Sequence, residues 1–236
     1  QLNQCENAIA SGADALLFIP FDKDGAAPII DNCNEAGIPV ICCNNITTNV
    51  DQATAYVGAN DVEAGIMETE YIVDLIGGKG NIAVVEGPFG HSAQVARQEG
   101  LEQVLAGYPD CKIVLDDTAN WNRDEAMELV ENWIAGGTQI DAIICHNDIM
   151  AMGALQACQD AGLEIPIIGI DATYDALCAV KDGTLAADVY QDVYGQAEEA
   201  FNVCMRILNG ETFEQTTYVP FKLITKDNVD EYLANF

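Results

Sequence analysis

The amino-acid sequence predicts an α/β protein whose parallel sheets are covered by helices on both faces, arranged as two similar lobes. Short apolar runs of strand length alternate with longer stretches of 3–4 apolar spacing along nearly the whole chain, and strand–helix–strand repetition of this kind builds parallel sheets. Glycines fall where helical stretches end, as C-terminal capping requires. One device occurs twice: Ala36-Gly37-Ile38-Pro39 and Ala161-Gly162-Leu163-Glu164-Ile165-Pro166 each read as helix end, glycine, then a strand opened near proline. No low-complexity linker separates the lobes, so the chain must cross between them directly.

The chain opens inside an amphipathic helix, with Leu2, Cys5, Ala8 and Ile9 at helical spacing and Gly12 behind them. A natural domain rarely begins there, which predicts further residues upstream. The apolar run at 15–19 falls far short of the roughly 18 residues a membrane-spanning helix needs and reads as a buried strand. Strands follow at 39–43 and 55–58, a helix at 62–76, a strand at 81–86 and a helix at 93–105 before Gly107. A strand at 112–115 precedes a helix at 124–134, closed by Gly136-Gly137. A strand at 142–145 precedes a helix at 148–161, closed by Gly162. Strands at 167–170 and 187–190, a helix at 197–208 and a short helix within 225–236 complete the series. Gly77-Gly78-Lys79-Gly80 holds a Gly-Lys pair but lacks P-loop spacing and precedes a strand, so it reads as a turn.

Composition narrows the partners. The 236 residues carry nine Lys plus Arg against 38 Asp plus Glu, a formal net charge of −29. Such a surface repels a phosphate backbone and anionic lipid alike, which excludes nucleic acid as a partner class. The nine cysteines show no zinc spacing. Most fall on apolar strand or helix positions and read as small buried hydrophobes; reduced thiols in an exported protein point to an anaerobic source. Neither a metal nor a cofactor is expected.

Ligands of open parallel sheets bind beyond the carboxyl ends of the strands. After the predicted strands stand Asn44 and Asn45; residues 86–91, ending in His91; residues 116–121, ending in Trp121; His146, Asn147 and Asp148; Asp171; and Gln191. Taken singly, Asp148 reads as a helix N-cap, Trp121 as core and a strand-end Asn as a turn residue. Their coincidence suits a neutral polyol, because each hydroxyl both donates and accepts. Asp171 would accept hydroxyl protons, while Asn147, Gln191, Asn44 and Asn45 offer both functions. Arg97 lies one or two turns into the helix after Gly90, and Trp121 offers a flat apolar face to the C–H side of a pyranose ring.

At Gly12-Ala13-Asp14-Ala15-Leu16-Leu17, Gly37-Ile38-Pro39-Val40, Tyr56-Val57-Gly58-Ala59-Asn60-Asp61, Ala96-Arg97-Gln98-Glu99-Gly100, His146-Asn147-Asp148-Ile149-Met150-Ala151-Met152-Gly153-Ala154 and Gly169-Ile170-Asp171, the chain resembles the periplasmic sugar-binding proteins of the ribose/galactose type. These are related to the effector domains of LacI-type repressors. The resemblance covers essentially the whole chain and implies the type I periplasmic-binding-protein fold: two Rossmann-like lobes joined by a three-segment hinge, here without the N-terminal strand-helix-strand. It implies lobes at 1–59 with 192–220 and at 60–191 with 221–236, crossing near 59–60, 191–192 and 220–221. Sugar contacts are implied at Asn44, Asn45, Arg97, Trp121, Asn147, Asp171 and Gln191, with His91 as a further polar contact. Ribose binders carry an acid and an arginine where this chain has Asn44 and Asn45, so a hexose such as galactose or glucose, or inositol, is expected over ribose.

The same resemblance implies an extracytoplasmic, monomeric solute-binding protein. It would close about its hinge on a monosaccharide or cyclitol and deliver it to an ABC transporter permease, with a lipid anchor as its sole link to membrane. Three other readings remain. Asp116, Asp117 and Asp171 could act as paired carboxylates of an enzyme, though no nucleophile elbow, zinc motif or nucleotide fingerprint accompanies them. A transcriptional effector domain would share fold and pocket, and a sensory ectodomain of a membrane receptor uses the same fold.

Overall fold

The computed structural model describes residues 1–234 and 236. The chain divides into two compact units, 1–60 with 192–220 and 61–191 with 221–236. The first crossing therefore lies one residue later than the sequence suggests.

The first unit is an all-parallel sheet in the order β1-β2-β3-β9, with β1 Leu16–Phe18, β2 Val40–Cys43, β3 Ala55–Gly58 and β9 Thr216–Tyr218. Side chains of β2 alternate across it, as the two-residue period of a strand dictates. Val40 and Cys42 join Cys5, Ile29, Ile30 and Cys33 from α1 (Leu2–Ala10) and α2 (Ala27–Ala36). Ile41 packs on the other face with Val203 and Cys204 of α8 (Val193–Leu208). Both faces of a four-residue strand are thus dry, which is why the sequence there reads as a continuous apolar run.

The second unit holds a six-stranded sheet in the order β10-β8-β7-β6-β4-β5. Its strands are β4 Gly80–Glu86, β5 Cys111–Thr118, β6 Ala142–Cys145, β7 Ile167–Ile170, β8 Ala187–Tyr190 and β10 Lys222–Ile224. The sheet is parallel except at β10, which pairs antiparallel with β8. The expectation of purely parallel sheets is corrected at that edge. On one face lie α5 (Arg123–Ala135), α6 (Asp148–Asp160), α7 (Tyr174–Asp182) and α9 (Val229–Leu233), over a core containing Val85, Ile143, Ile167, Leu177 and Ile224. Of the remaining helices, α3 (Asp61–Leu75) packs on β6, β7 and β8 and against α4 (Ser92–Leu105). Strand β5 runs three residues further than expected, so Asp116 and Asp117 lie within this half-exposed edge strand. They are separated from β7, and hence from Asp171, by β4 and β6; the proposed paired carboxylates are not brought together.

Among the described residues all nine cysteines are free thiols, seven buried and Cys43 and Cys178 half-buried. No helix of the described residues is long and apolar enough to cross a membrane. Gly12, Gly37, Gly137 and Gly162 adopt the left-handed conformation at their helix ends, whereas Gly107 does not.

Two glycines set the α3–α4 distance. A methyl at Gly65 would collide with the Arg97 carbonyl, and one at Gly100 with the Val62 carbonyl. The two backbones touch directly, which lays Arg97 against the start of α3. Gly65→Ala is expected to destabilise the protein by about 1–3 kcal/mol through overpacking, measured by urea unfolding.

Candidate functional site

In the second unit the strand order reverses after β5: the chain goes from β4 outward to β5, then back past β4 to β6. The crevice outside the carboxyl ends of β4 and β6 is therefore a topological switch point, where open α/β sheets bind their ligands. Arg97 of α4 spans it. Its Nε donates to Asp61 Oδ1 at 3.0 Å and its Nη2 lies 2.8 Å from the same oxygen. Its Nη1 donates to the His146 carbonyl at the end of β6. These bonds leave the second hydrogen on each terminal nitrogen for a ligand. Burial pulls the guanidinium down, but Asp61 and Asp171 outweigh it and hold the charge.

The guanidinium lies over the Trp121 ring, 5.9 Å from its centroid, at cation–π distance. Trp121 is presented by a tight turn after β5 in which Asn120 and Trp121 both take positive φ, 52° and 57°. Gly87 makes room for it, since a Cβ there would collide with the indole. Ala119 N–H donates to the Glu86 carbonyl at 2.9 Å and the Thr118 hydroxyl to the Gly87 carbonyl at 2.8 Å, tying the ends of β4 and β5 together. His91 meets Trp121 edge to face at 5.4 Å. Its Nδ1 also accepts from Ala93 N–H at 3.2 Å as the N-cap of α4.

Asn147, not Asp148, caps α6: its Oδ1 accepts from Met150 N–H at 3.0 Å. The expected N-cap role of Asp148 is thereby corrected. Asp148 is the first helical residue and is fully buried. Capping commits the Asn147 oxygen and leaves its Nδ2 as a donor. Asp171 follows β7 with φ 126°. Burial pushes its carboxyl up to about 6, with Arg97 pulling it down and Asp61 adding to the rise. Gln191, just after β8, is buried. His146 itself is neutral, driven down to about 3 by burial and then by the Arg97 charge, so it contributes its carbonyl and not a proton. Glu68, wholly buried, is pushed well above the carboxylate range by burial against the pull of Arg97.

The first unit places Asn44 and Asn45 after β2. Asn44 has φ 59°, its Nδ2 donates to Gln196 at 2.9 Å, and its carbonyl accepts from the Tyr56 hydroxyl at 2.7 Å. Asn45 Nδ2 donates to the Pro20 carbonyl at 3.0 Å. Within this unit a groove of about 600 Å³ has Leu17, Phe18, Ile19, Asn44 and Gln196 among its lining residues and is predominantly apolar.

The second unit thus sets Trp121 against both Arg97 and His91, with the Asp171 charge acting on Arg97, while Asn147 sits at the neighbouring strand end. Asp61 was not among the expected site residues. It lies 36 positions from Arg97, so no local spacing announces the pair, although it closes one of the motifs that carry the family resemblance. No group of three His, Cys, Asp or Glu among the described residues could hold a metal ion.

A periplasmic binding protein domain model matches residues 1–212, and the chain belongs to that family. It is 39% identical to a xylitol-binding protein of Mycolicibacterium smegmatis over 98% of this chain and 66% of that protein. A putative rhizopine-binding protein of Rhizobium meliloti is 37% identical over 98% of this chain and 78% of its own length. A solved ABC transporter solute binding protein from Bacillus halodurans with bound myo-inositol superposes with a TM-score of 0.96 at 40% identity, covering 100% of this chain and 83% of that one. The chain thus spans just under two thirds of the length of the first of these relatives.

Arg97→Met is expected to cost about 3–5 kcal/mol in unfolding free energy, because Asp61 and Asp171 lose their shared counter-charge in a desolvated site. Urea denaturation of the variant reads this directly.

Proposed function

We propose that this family member is the solute-binding protein of an ABC transporter, capturing a neutral polyol through the strand-end groups of its second unit. The favoured ligand is a cyclitol such as inositol, a sugar alcohol or a hexose, over ribose. The observation that carries this is the Arg97 constellation: a buried guanidinium with hydrogens to spare, a carboxylate, an amide and an indole face at one switch point. Its charge is already balanced by Asp61 and Asp171. An anionic ligand gains no net attraction there, while hydroxyls find both donors and acceptors. The xylitol-, rhizopine- and inositol-binding relatives support the same ligand class.

Asn44 and Asn45 of the first unit and His91 and Gln191 of the second are proposed as additional polar contacts. The role is capture without turnover, outside the cytoplasm, as a monomer that hands its ligand to a membrane permease, with a lipid anchor as its tether.

Thermal melting of the full-length protein with myo-inositol, xylitol, galactose, glucose and ribose tests this. A ligand at a hundredfold its Kd adds about 2.7 kcal/mol, which raises Tm by several degrees. A flat response across the panel contradicts the proposal. Asp171→Ala and Trp121→Ala are expected to abolish most of the shift while the proteins stay folded.

Binding should also depend on pH. Asp171 accepts hydroxyl protons as the carboxylate, and its carboxyl sits at about 6. Affinity should therefore rise as pH increases from about 5 to about 7, measured by calorimetric titration with myo-inositol.

A further inference from the structure

Behind the Asp171 turn lie two carboxyl groups that polyol recognition does not use. Asp148 and Asp188 are both fully buried. Asp188 of β8 stands directly beside Gly169 of β7 in the ladder. The Asp148 carboxyl lies over that same Gly169, where a Cβ would collide with its Oδ1. The glycine clears a slot in which a helix carboxyl and a strand carboxyl share one face of the sheet.

Each carboxyl has one oxygen engaged. Asp148 Oδ2 accepts from Thr173 N–H at 2.7 Å, and Asp188 Oδ1 from Ala172 N–H at 3.2 Å. The other oxygens, Asp148 Oδ1 and Asp188 Oδ2, have no donor among the described residues. Two buried carboxyls side by side resist ionising together, and the second proton leaves only at raised pH. One proton held between the two supplies the missing donor. Burial pushes both carboxyls up, reinforced by the Asp171 charge and, for Asp148, by that of Asp188.

The backbone groups that this pair holds belong to the turn presenting Asp171. That turn is strained, with φ 126° at Asp171 and 58° at Ala172, neither a glycine. Non-glycine residues persist there only when their surroundings over-determine them. Two buried acceptors fixed to Ala172 and Thr173 do so.

We infer that Asp148 and Asp188 are positioning residues, a carboxyl pair sharing one proton that fixes the Asp171 turn for polyol binding and releases it when that proton is lost as pH rises. This rests on the polyol-binding reading of Asp171. The charge nearest the pair is Asp171 itself. Asp160 on α6, Asp175, Lys181 and Asp182 on α7, Asp230 and Glu231 on α9, and Lys222 on β10 are all exposed. Arg123, at the start of α5, is exposed beside the depression that Asp148 and Thr173 line. Solvent screens all of these. The α5 acids Asp124, Glu125, Glu128 and Glu131 are exposed as well; Cys145, Cys158 and Cys178 are the thiols and Tyr174, Tyr190 and Tyr232 the phenols of β6, α6, α7, β8 and α9, and α3, which packs on β6, β7 and β8, carries the buried Glu68.

The sign follows from proton counting. Between the ordinary carboxylate value and the raised one, the folded protein binds the pair's proton and the unfolded chain does not. The pair's contribution to stability is full below the unfolded value and is lost as pH rises through the folded one. Asp188→Asn puts a permanent N–H where the shared proton lies and keeps the acceptor for Ala172. Asp188→Ala removes both.

The test uses the full-length protein with myo-inositol as probe, from about pH 5 to about pH 9. Above about pH 7, where Asp171 is already ionised, wild-type Tm and affinity should fall with rising pH more steeply than those of Asp188→Asn. At neutral pH Asp188→Ala should bind at least about tenfold more weakly, and Asp188→Asn should restore most of that loss. Parallel pH profiles for wild type and Asp188→Asn overturn the inference, whether or not Asp188→Ala folds. The polyol reading fails separately, if wild-type protein binds no member of the panel.

Discussion

A buried cation organises the second unit. Arg97 is 3% exposed, and a guanidinium is tolerated there only because Asp61, the His146 carbonyl and the Asp171 charge compensate its lost hydration. Each compensating group lies on a different element: the start of α3, the end of β6 and the turn after β7. The constraint therefore propagates. Glycines at the α3–α4 contact bring Arg97 within reach of Asp61, and Gly87 lets Trp121 lie under its guanidinium. Gly169 clears the slot for the carboxyls that hold the Asp171 turn.

This arrangement resolves an apparent conflict in the charge balance. The chain carries 38 acidic residues against nine Lys plus Arg, yet the candidate site is centred on a cation. Locally that cation is neutralised, so the site is polar without being strongly charged. Several buried acids, Glu68, Asp148 and Asp188 among them, are pushed toward their neutral forms by burial. The formal net charge therefore overstates what the interior of the folded protein carries, and the acidity resides on the surface.

Much of the fold was legible in the sequence because buried parallel strands are continuous apolar runs. Residues 142–145 and 167–170 could be read almost to the residue for that reason. Two of the edge strands could not. Thr216–Tyr218 and Lys222–Ile224 are short and half-exposed, so no apolar run marks them. Nor was the full length of β5 visible, because Asp116 and Asp117 continue an exposed edge that tolerates charge. Of the candidate site, residues at strand ends were legible by position, and the structure sets Trp121 against both Arg97 and His91. The capping choice between Asn147 and Asp148 was not, because both are good N-caps and only the residue at which the backbone turns helical distinguishes them. Asp188 was invisible as well: it sits inside a strand, and its significance comes from Gly169 beside it and Asp148 above it.

The most direct test is a crystal structure of the full-length protein grown with myo-inositol. It should show ring hydroxyls bonded to the spare guanidinium hydrogens of Arg97, to the Asp171 carboxylate and to Asn147 Nδ2, with the ring lying on the indole of Trp121. A polyol bound elsewhere, with Arg97 still engaging only Asp61 and the His146 carbonyl, would contradict the account.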